Sequence, residues 1–158
     1  MDGTILNTIK DLTIATNHAL SMYGLPEITE EEEKNCVGNG LYMTAKRAAP
    51  EGCEDKLVKK VYEELASYYK DHCEENTGPY EGIVEVIKEL KDRGILTAVV
   101  SNKADYAVQR LVEKYFDDCF LLALGETEGL ALKPAPDMVL EILKRLHVET
   151  KDAVYVGD

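Results

Sequence analysis

The chain has 158 residues, 45% of them hydrophobic, enough to bury the core of one ordinary domain or of a small core with an inserted subdomain. Its formal net charge of -12 at pH 7 opposes nucleic acid and anionic membrane surfaces, so any phosphate it binds needs a local cation, a metal or a well-placed Lys. No apolar run approaches the ~20 residues of a membrane span, and the first dozen residues carry Asp2 and Asp11 rather than the apolar segment of a signal peptide.

Cys36, Cys53, Cys73 and Cys119 form no C-x-x-C pair and have no His-rich run beside them. They read as free thiols in a reducing compartment, which makes the protein cytoplasmic. Asp2-Gly3-Thr4 opens the chain as a turn that normally follows a buried strand, although only Met1 precedes it. Residues 9–23 have helical periodicity, stopped by Gly24 and Pro26. Thr29 with Glu32 is a capping box, so the acidic run Glu30–Glu33 reads as a helix N-terminus. "VGNGL" (37–41) is a flexible break before a helix over 41–49. A longer helix is predicted over 54–76, with Leu57, Val61, Leu65 and Tyr68 on one face. Its tyrosines read as packing.

Residues 77–82 are a break, and the pattern then changes. Ile83, Val86, Ile87 and Leu90 mark a helix over 83–92, capped by Gly94. "ILTAVVS" (95–101) is a strand buried on both faces, followed by a helix over about 104–115. "CFLLAL" (119–124) is the next strand, Pro136 starts another helix, and "AVYVGD" (153–158) is a last strand. This alternation predicts an α/β fold, a parallel sheet with helices on its faces, carrying an all-helical insert. The predicted boundaries are 1–10 and 79–158 for the core and 11–78 for the helical cap.

Ligands of open parallel sheets bind at the carboxyl ends of the strands. There the sequence puts Asp2, Gly3 and Thr4, then Ser101, Asn102 and Lys103, and finally Gly157 and Asp158, with Lys133 in a loop before a helix. These residues suit phosphoryl chemistry. Asp2 and Asp158 offer carboxylates for Mg2+. Ser101, Asn102 and the amides at Gly3 and Thr4 are candidate phosphate donors. Lys133 adds a point charge to the transferring group.

In order, "DGTILNT", "VVSNK", "LKPAP" and "VYVGD" resemble the four motifs of the haloacid dehalogenase-like hydrolases. "GLPEIT…VGNG" and "PYEGIVEVIKELKDRG" are similar to the phosphoglycolate phosphatase-like branch. The resemblance spans essentially the whole chain. It implies a Rossmann-like core with an inserted helical cap, and a Mg2+-dependent phosphatase that hydrolyses a small phosphorylated metabolite through an aspartyl-phosphate. By match, Asp2 is the general acid/base and a metal contact, Ser101 and Asn102 bind phosphate, Lys133 steadies nucleophile and phosphate, and Asp158 is a metal ligand. The nucleophilic Asp of the family has no counterpart here and would directly precede Met1. The chain is accordingly expected to be truncated at both ends, without the central strand that carries the nucleophile, and inactive alone. Asn7-Thr8 stands where the family often has Asp-Ser. The cap is expected to select substrate, with Asn39, Lys46 and Arg47 as candidate contacts. The alternatives are a phosphomutase or pyrophosphatase of the same family, or a non-catalytic phosphate-binding module. The sequence sets no oligomeric state.

Overall fold

The computed structural model describes residues 1–157. The chain divides into two compact units, Met1–Leu6 with Pro79–Asp158, and Asn7–Gly78. Strands β1 (Leu6–Asn7) and β2 (Gly78–Pro79) pair with each other at the two points where the chain passes from one unit to the other.

The second unit holds α1 (Ile9–Met22), α2 (Glu30–Cys36), α3 (Leu41–Ala48) and α4 (Asp55–His72). Helix α1 packs on α4, burying Leu12, Ala15, Ala19 and Leu20 with Val58, Val61, Leu65 and Tyr69. The capping box forms as the sequence predicts: Glu32 N–H donates to Thr29 Oγ1 at 3.2 Å, and Thr29 N–H donates to Glu32 Oε2 at 2.7 Å. Tyr68 stacks between His18 and His72, with ring centroids 4.1 Å from each, so the tyrosine stripe is packing. Helix α4 ends earlier than the predicted 54–76 because a buried carboxylate captures the residues that follow it. Asp11 Oδ1 and Oδ2 accept from the Asn76 amide at 2.9 Å each, and Oδ2 also accepts from Thr77 N–H and Oγ1 at 2.8 Å each. Donors of this number satisfy a buried carboxylate.

Glu33 of α2 is different. It is 0% exposed, and Thr16 Oγ1 donates to its Oε1 at 3.0 Å, but its Oε2 has no hydrogen-bond partner among the described residues. Burial pushes its pKa up to about 7, with the Thr16 hydrogen bond acting in the opposite direction. The neighbouring Cys36 thiol is pushed up too, by burial first and then by the Glu33 charge. All four cysteines are free thiols.

The first unit holds α5 (Ile83–Asp92), β3 (Ala98–Ala104), α6 (Asp105–Phe116), β4 (Leu122–Glu126) and α7 (Asp137–Leu146). Strands β3 and β4 are parallel, in register at Ala98↔Leu122, Val99↔Ala123 and Val100↔Leu124; after an irregularity the ladder resumes at Ala104↔Glu126. Side chains alternate across the ladder. Val99 and Ala123 join a core of Met1, Leu6, Ile87, Val108, Leu111 and Phe116. Ala98, Val100, Leu122 and Leu124 join Met138 and Ile142. This is the expected α/β arrangement, a parallel ladder with helices packed on it.

Both strands lie about three residues beyond their predicted positions, and the reasons are local. Ile95 belongs to the end of α5: Gly94, at φ +73, donates to Lys91 O at 2.9 Å, and Ile95 N–H donates to Leu90 O at 3.0 Å. This paired pattern closes a helix on a left-handed glycine. Thr97 then holds the 119–121 segment, donating from Oγ1 to Cys119 O at 2.6 Å and accepting from Leu121 N–H at 2.9 Å. The ladder therefore begins at Ala98, and Ser101, Asn102 and Lys103 lie inside β3 rather than after it.

The predicted last strand over 153–158 does not form within the described residues. Residues 153–157 have no regular structure, with Val154 89% and Val156 76% exposed. A strand needs a neighbour to receive its backbone groups, and no ladder among the described residues pairs with this segment. No helix among the described residues is long and apolar enough to cross a membrane.

Two measurements check this packing. Glu33 is protonated in the folded state up to about pH 7, whereas the unfolded side chain ionises near its ordinary value of 4.5. Stability therefore falls as pH rises from about 4.5 to 7, and the deficit is complete above that. Urea denaturation should find Glu33→Gln more stable than the parent at pH 8, by up to ~3 kcal/mol, with the two converging near pH 4.5. At Gly125, an added Cβ would lie 2.4 Å from the Asp105 Cα, a backbone atom. Gly125→Ala should separate β4 from α6 and cost about 1–3 kcal/mol in the same assay.

Candidate active site

Strand β3 is apolar at its start and polar at its end, yet its end is as buried as its start: Ser101, Asn102 and Lys103 are all buried. Buried polar groups require partners, and those partners assemble the site. Asn102 pairs with the backbone of Lys133 in both directions. Its Nδ2 donates to Lys133 O at 2.9 Å, and its Oδ1 accepts from Lys133 N–H at 2.8 Å. These two bonds tie β3 to the loop that precedes α7. The Ser101 hydroxyl oxygen accepts from Lys103 N–H at 3.2 Å.

Lys103 closes the arrangement. Its side chain is 3% exposed, and its Nζ lies 3.0 Å from Oδ1 of Asp2, which is 28% exposed. Asp2 sits on a tight turn. Met1 O accepts from the amides of Thr4, Ile5 and Leu6 at 3.3, 3.0 and 3.1 Å, and Gly3 N–H donates to Leu6 O at 3.0 Å. Gly3 adopts φ +74, a left-handed conformation that this turn requires and that glycine takes without strain. Asp2 is thus joined to β3 through Lys103, and β3 to Lys133 through Asn102.

The sequence-predicted residues fall into three groups. Asp2, Ser101, Asn102 and Lys133 belong to this connected set. Gly3 and Thr4 form the turn that carries Asp2, with their amides directed to Leu6 O and Met1 O. Asn39, Lys46 and Arg47 belong to the helical unit. There Arg47 donates to Cys36 O at 3.1 Å, Val37 O at 3.4 Å and Asn39 Oδ1 at 2.7 Å, fastening the 36–39 loop to α3. Lys46 lies 3.9 Å from Asp55 on an exposed surface. Asp158 lies outside the described residues. Lys133 directs its Nζ to the Tyr155 hydroxyl at 2.8 Å.

Sequence reading did not single out Lys103 as a site residue. The available signal was a cation in an otherwise uncharged run, directly after a predicted phosphate-binding pair. Tyr155 was also missed, since it was assigned to a strand. For Mg2+, Asp2 offers a hard oxygen donor of the right kind. Among the described residues, however, no group of three or more His, Cys, Asp or Glu is placed to hold a metal. The described residues alone therefore do not build a Mg2+ site.

Comparison with known proteins agrees with this architecture. A family model described as haloacid dehalogenase-like hydrolase matches residues 1–158. Phosphoglycolate phosphatase of Haemophilus influenzae (strain 86-028NP) is 29% identical over 166 residues, covering 100% of this chain and 74% of the relative. N-acetylmuramic acid 6-phosphate phosphatase of Pseudomonas aeruginosa is 26% identical over 162 residues, covering 100% and 70%. Among solved structures, a Lactobacillus delbrueckii subsp. bulgaricus protein provisionally described as a phosphoglycolate phosphatase is 40% identical. It has a TM-score of 0.88 and covers 94% of this chain and 72% of its own. A predicted phosphoglycolate phosphatase from Haemophilus somnus 129pt has a TM-score of 0.92 at 26% identity, covering 100% and 74%. The chain belongs to the haloacid dehalogenase-like hydrolases, and within them to the phosphatases that resemble phosphoglycolate phosphatase.

Proposed function

We propose that this polypeptide hydrolyses the phosphate monoester of a small metabolite of phosphoglycolate type, with Asp2 as general acid and base. The observation that carries the proposal is the linked set at the end of β3: Asp2 tied to the strand through Lys103, and Lys133 tied to it through Asn102.

In the proposed reaction, a carboxylate attacks phosphorus while the ester P–O bond breaks, and Asp2 gives its proton to the departing oxygen. Water then attacks the acyl phosphate, Asp2 takes its proton, and inorganic phosphate leaves with the carboxylate restored. The attacking carboxylate is assigned to an Asp directly preceding Met1, since the family places the nucleophile two residues before the acid/base and no group of this chain matches it. Ser101, Asn102 and Lys133 are assigned to the phosphoryl oxygens, where positioning and charge neutralisation dominate catalysis. Lys133 has to turn from Tyr155 to serve there. Mg2+ is the proposed cofactor, to be held by the Asp2 backbone carbonyl and the Asp158 carboxylate; when bound it would neutralise phosphoryl charge. Substrate selection is assigned to the helical unit, with Lys46 and the Arg47–Asn39 pair as its proposed contacts. The four free thiols suit a reducing interior, and a cytoplasmic site of action is part of the proposal.

Turnover of phosphoglycolate and p-nitrophenyl phosphate tests this reading. A polypeptide carrying Asp directly before Met1 should be active with Mg2+ and silenced by EDTA, while the 158-residue chain should be inactive. Turnover by the 158-residue chain would remove the nucleophile assignment. A folded but inactive extended polypeptide would leave a phosphate-binding module instead. Asn102→Ala deletes both bonds to Lys133 and should cost about 2 kcal/mol in urea denaturation, at ~1 kcal/mol per bond. In the active polypeptide it should also raise KM for the phosphate ester.

A further inference from the structure

We propose that Lys103 is the positioning residue for Asp2, holding its carboxylate from β3. The proposal rests on the reading of Asp2 as general acid and base. A lysine 3% exposed is an expensive choice for a strand interior, because an ammonium loses its hydration there. An apolar side chain of similar length would fill the same volume without that cost, and replacing buried ion pairs in this way is often neutral or stabilising. The charge at this position thus has a purpose beyond packing, and its location indicates which one.

The two ends of the pair are held differently. Lys103 is anchored in β3 between the Ser101 hydroxyl, which accepts its N–H at 3.2 Å, and the ladder pair Ala104↔Glu126. Asp2 rides on a turn closed on Met1 O. A general acid has to be held within about 0.5 Å of its productive position to be effective. The 3.0 Å contact to Oδ1 supplies that restraint. Lys103 touches neither substrate nor reacting atoms in this scheme and acts through Asp2.

The test uses Lys103→Met and Lys103→Gln, with folding checked by circular dichroism, in the polypeptide that carries Asp before Met1. Each should lower kcat on p-nitrophenyl phosphate at least ~30-fold while KM stays within ~3-fold, the signature of an interaction made in the transition state. In an Asp2→Asn background the same changes should cost less than ~3-fold more, because Lys103 then has no carboxylate to hold. Full additivity in that background, or a raised KM with unchanged kcat, would overturn the proposal while leaving the phosphatase reading intact. Should the parent polypeptide turn over no phosphate ester, that reading fails. Amide exchange in the 158-residue chain then decides: the Gly3 and Leu6 amides should exchange at least ~10-fold faster in Lys103→Met, and unchanged rates would overturn the positioning role.

Discussion

The positive charge of Lys103 has to be met where it is buried, and the arrangement of the site follows from that requirement. Asp2 meets it at 3.0 Å, which draws the turn of residues 1–6 onto the carboxyl end of β3. Met1 and Leu6 then enter the apolar core beside Val99, Val108 and Leu111. One residue further back along the strand, Asn102 binds the backbone of Lys133, so adjacent residues of β3 recruit two segments distant in sequence. Both contacts arise from the irregular stretch of β3 between the ladder pairs Val100↔Leu124 and Ala104↔Glu126. A protein of net charge -12 thereby places two lysines, Lys103 and Lys133, at one end of one strand.

The helical unit handles buried polarity in two contrasting ways. Asp11 is enclosed by donors from Asn76 and Thr77, which fixes where α4 gives way to the returning chain. Glu33 has only Thr16, and its second oxygen is left without a partner among the described residues. Burial favours the neutral form of Glu33. The two side chains lie in helices that pack on each other.

Elements whose signals are local were legible in the sequence. The capping box at Thr29, the stop at Gly24 and the α5 span of Ile83–Asp92 all depend on near neighbours along the chain. The strands were displaced because β-propensity does not show where a helix cap ends: Ile95 and Leu96 look like strand residues, yet Ile95 completes the cap of α5. The 153–157 segment has the composition of a strand without a ladder to join. Among the candidate site residues, Ser101 and Asn102 were singled out because strand ends in parallel sheets collect ligand-binding residues. Lys103 was not, because a charged residue beside a turn reads as solvated until its burial and its partner are known. Asp11 and Glu33 were missed for the same reason. Each occupies a helical position whose polarity signals exposure, and only tertiary packing reverses that signal.

The account makes the polar end of β3 a phosphate site, and a titration of the isotopically labelled chain with inorganic phosphate examines that most directly. Saturable chemical-shift changes centred on the Ser101 amide, the Asn102 side-chain amide and the Lys133 amide are the predicted result. Changes that fail to saturate, or that saturate elsewhere while these three signals stay still, would contradict it.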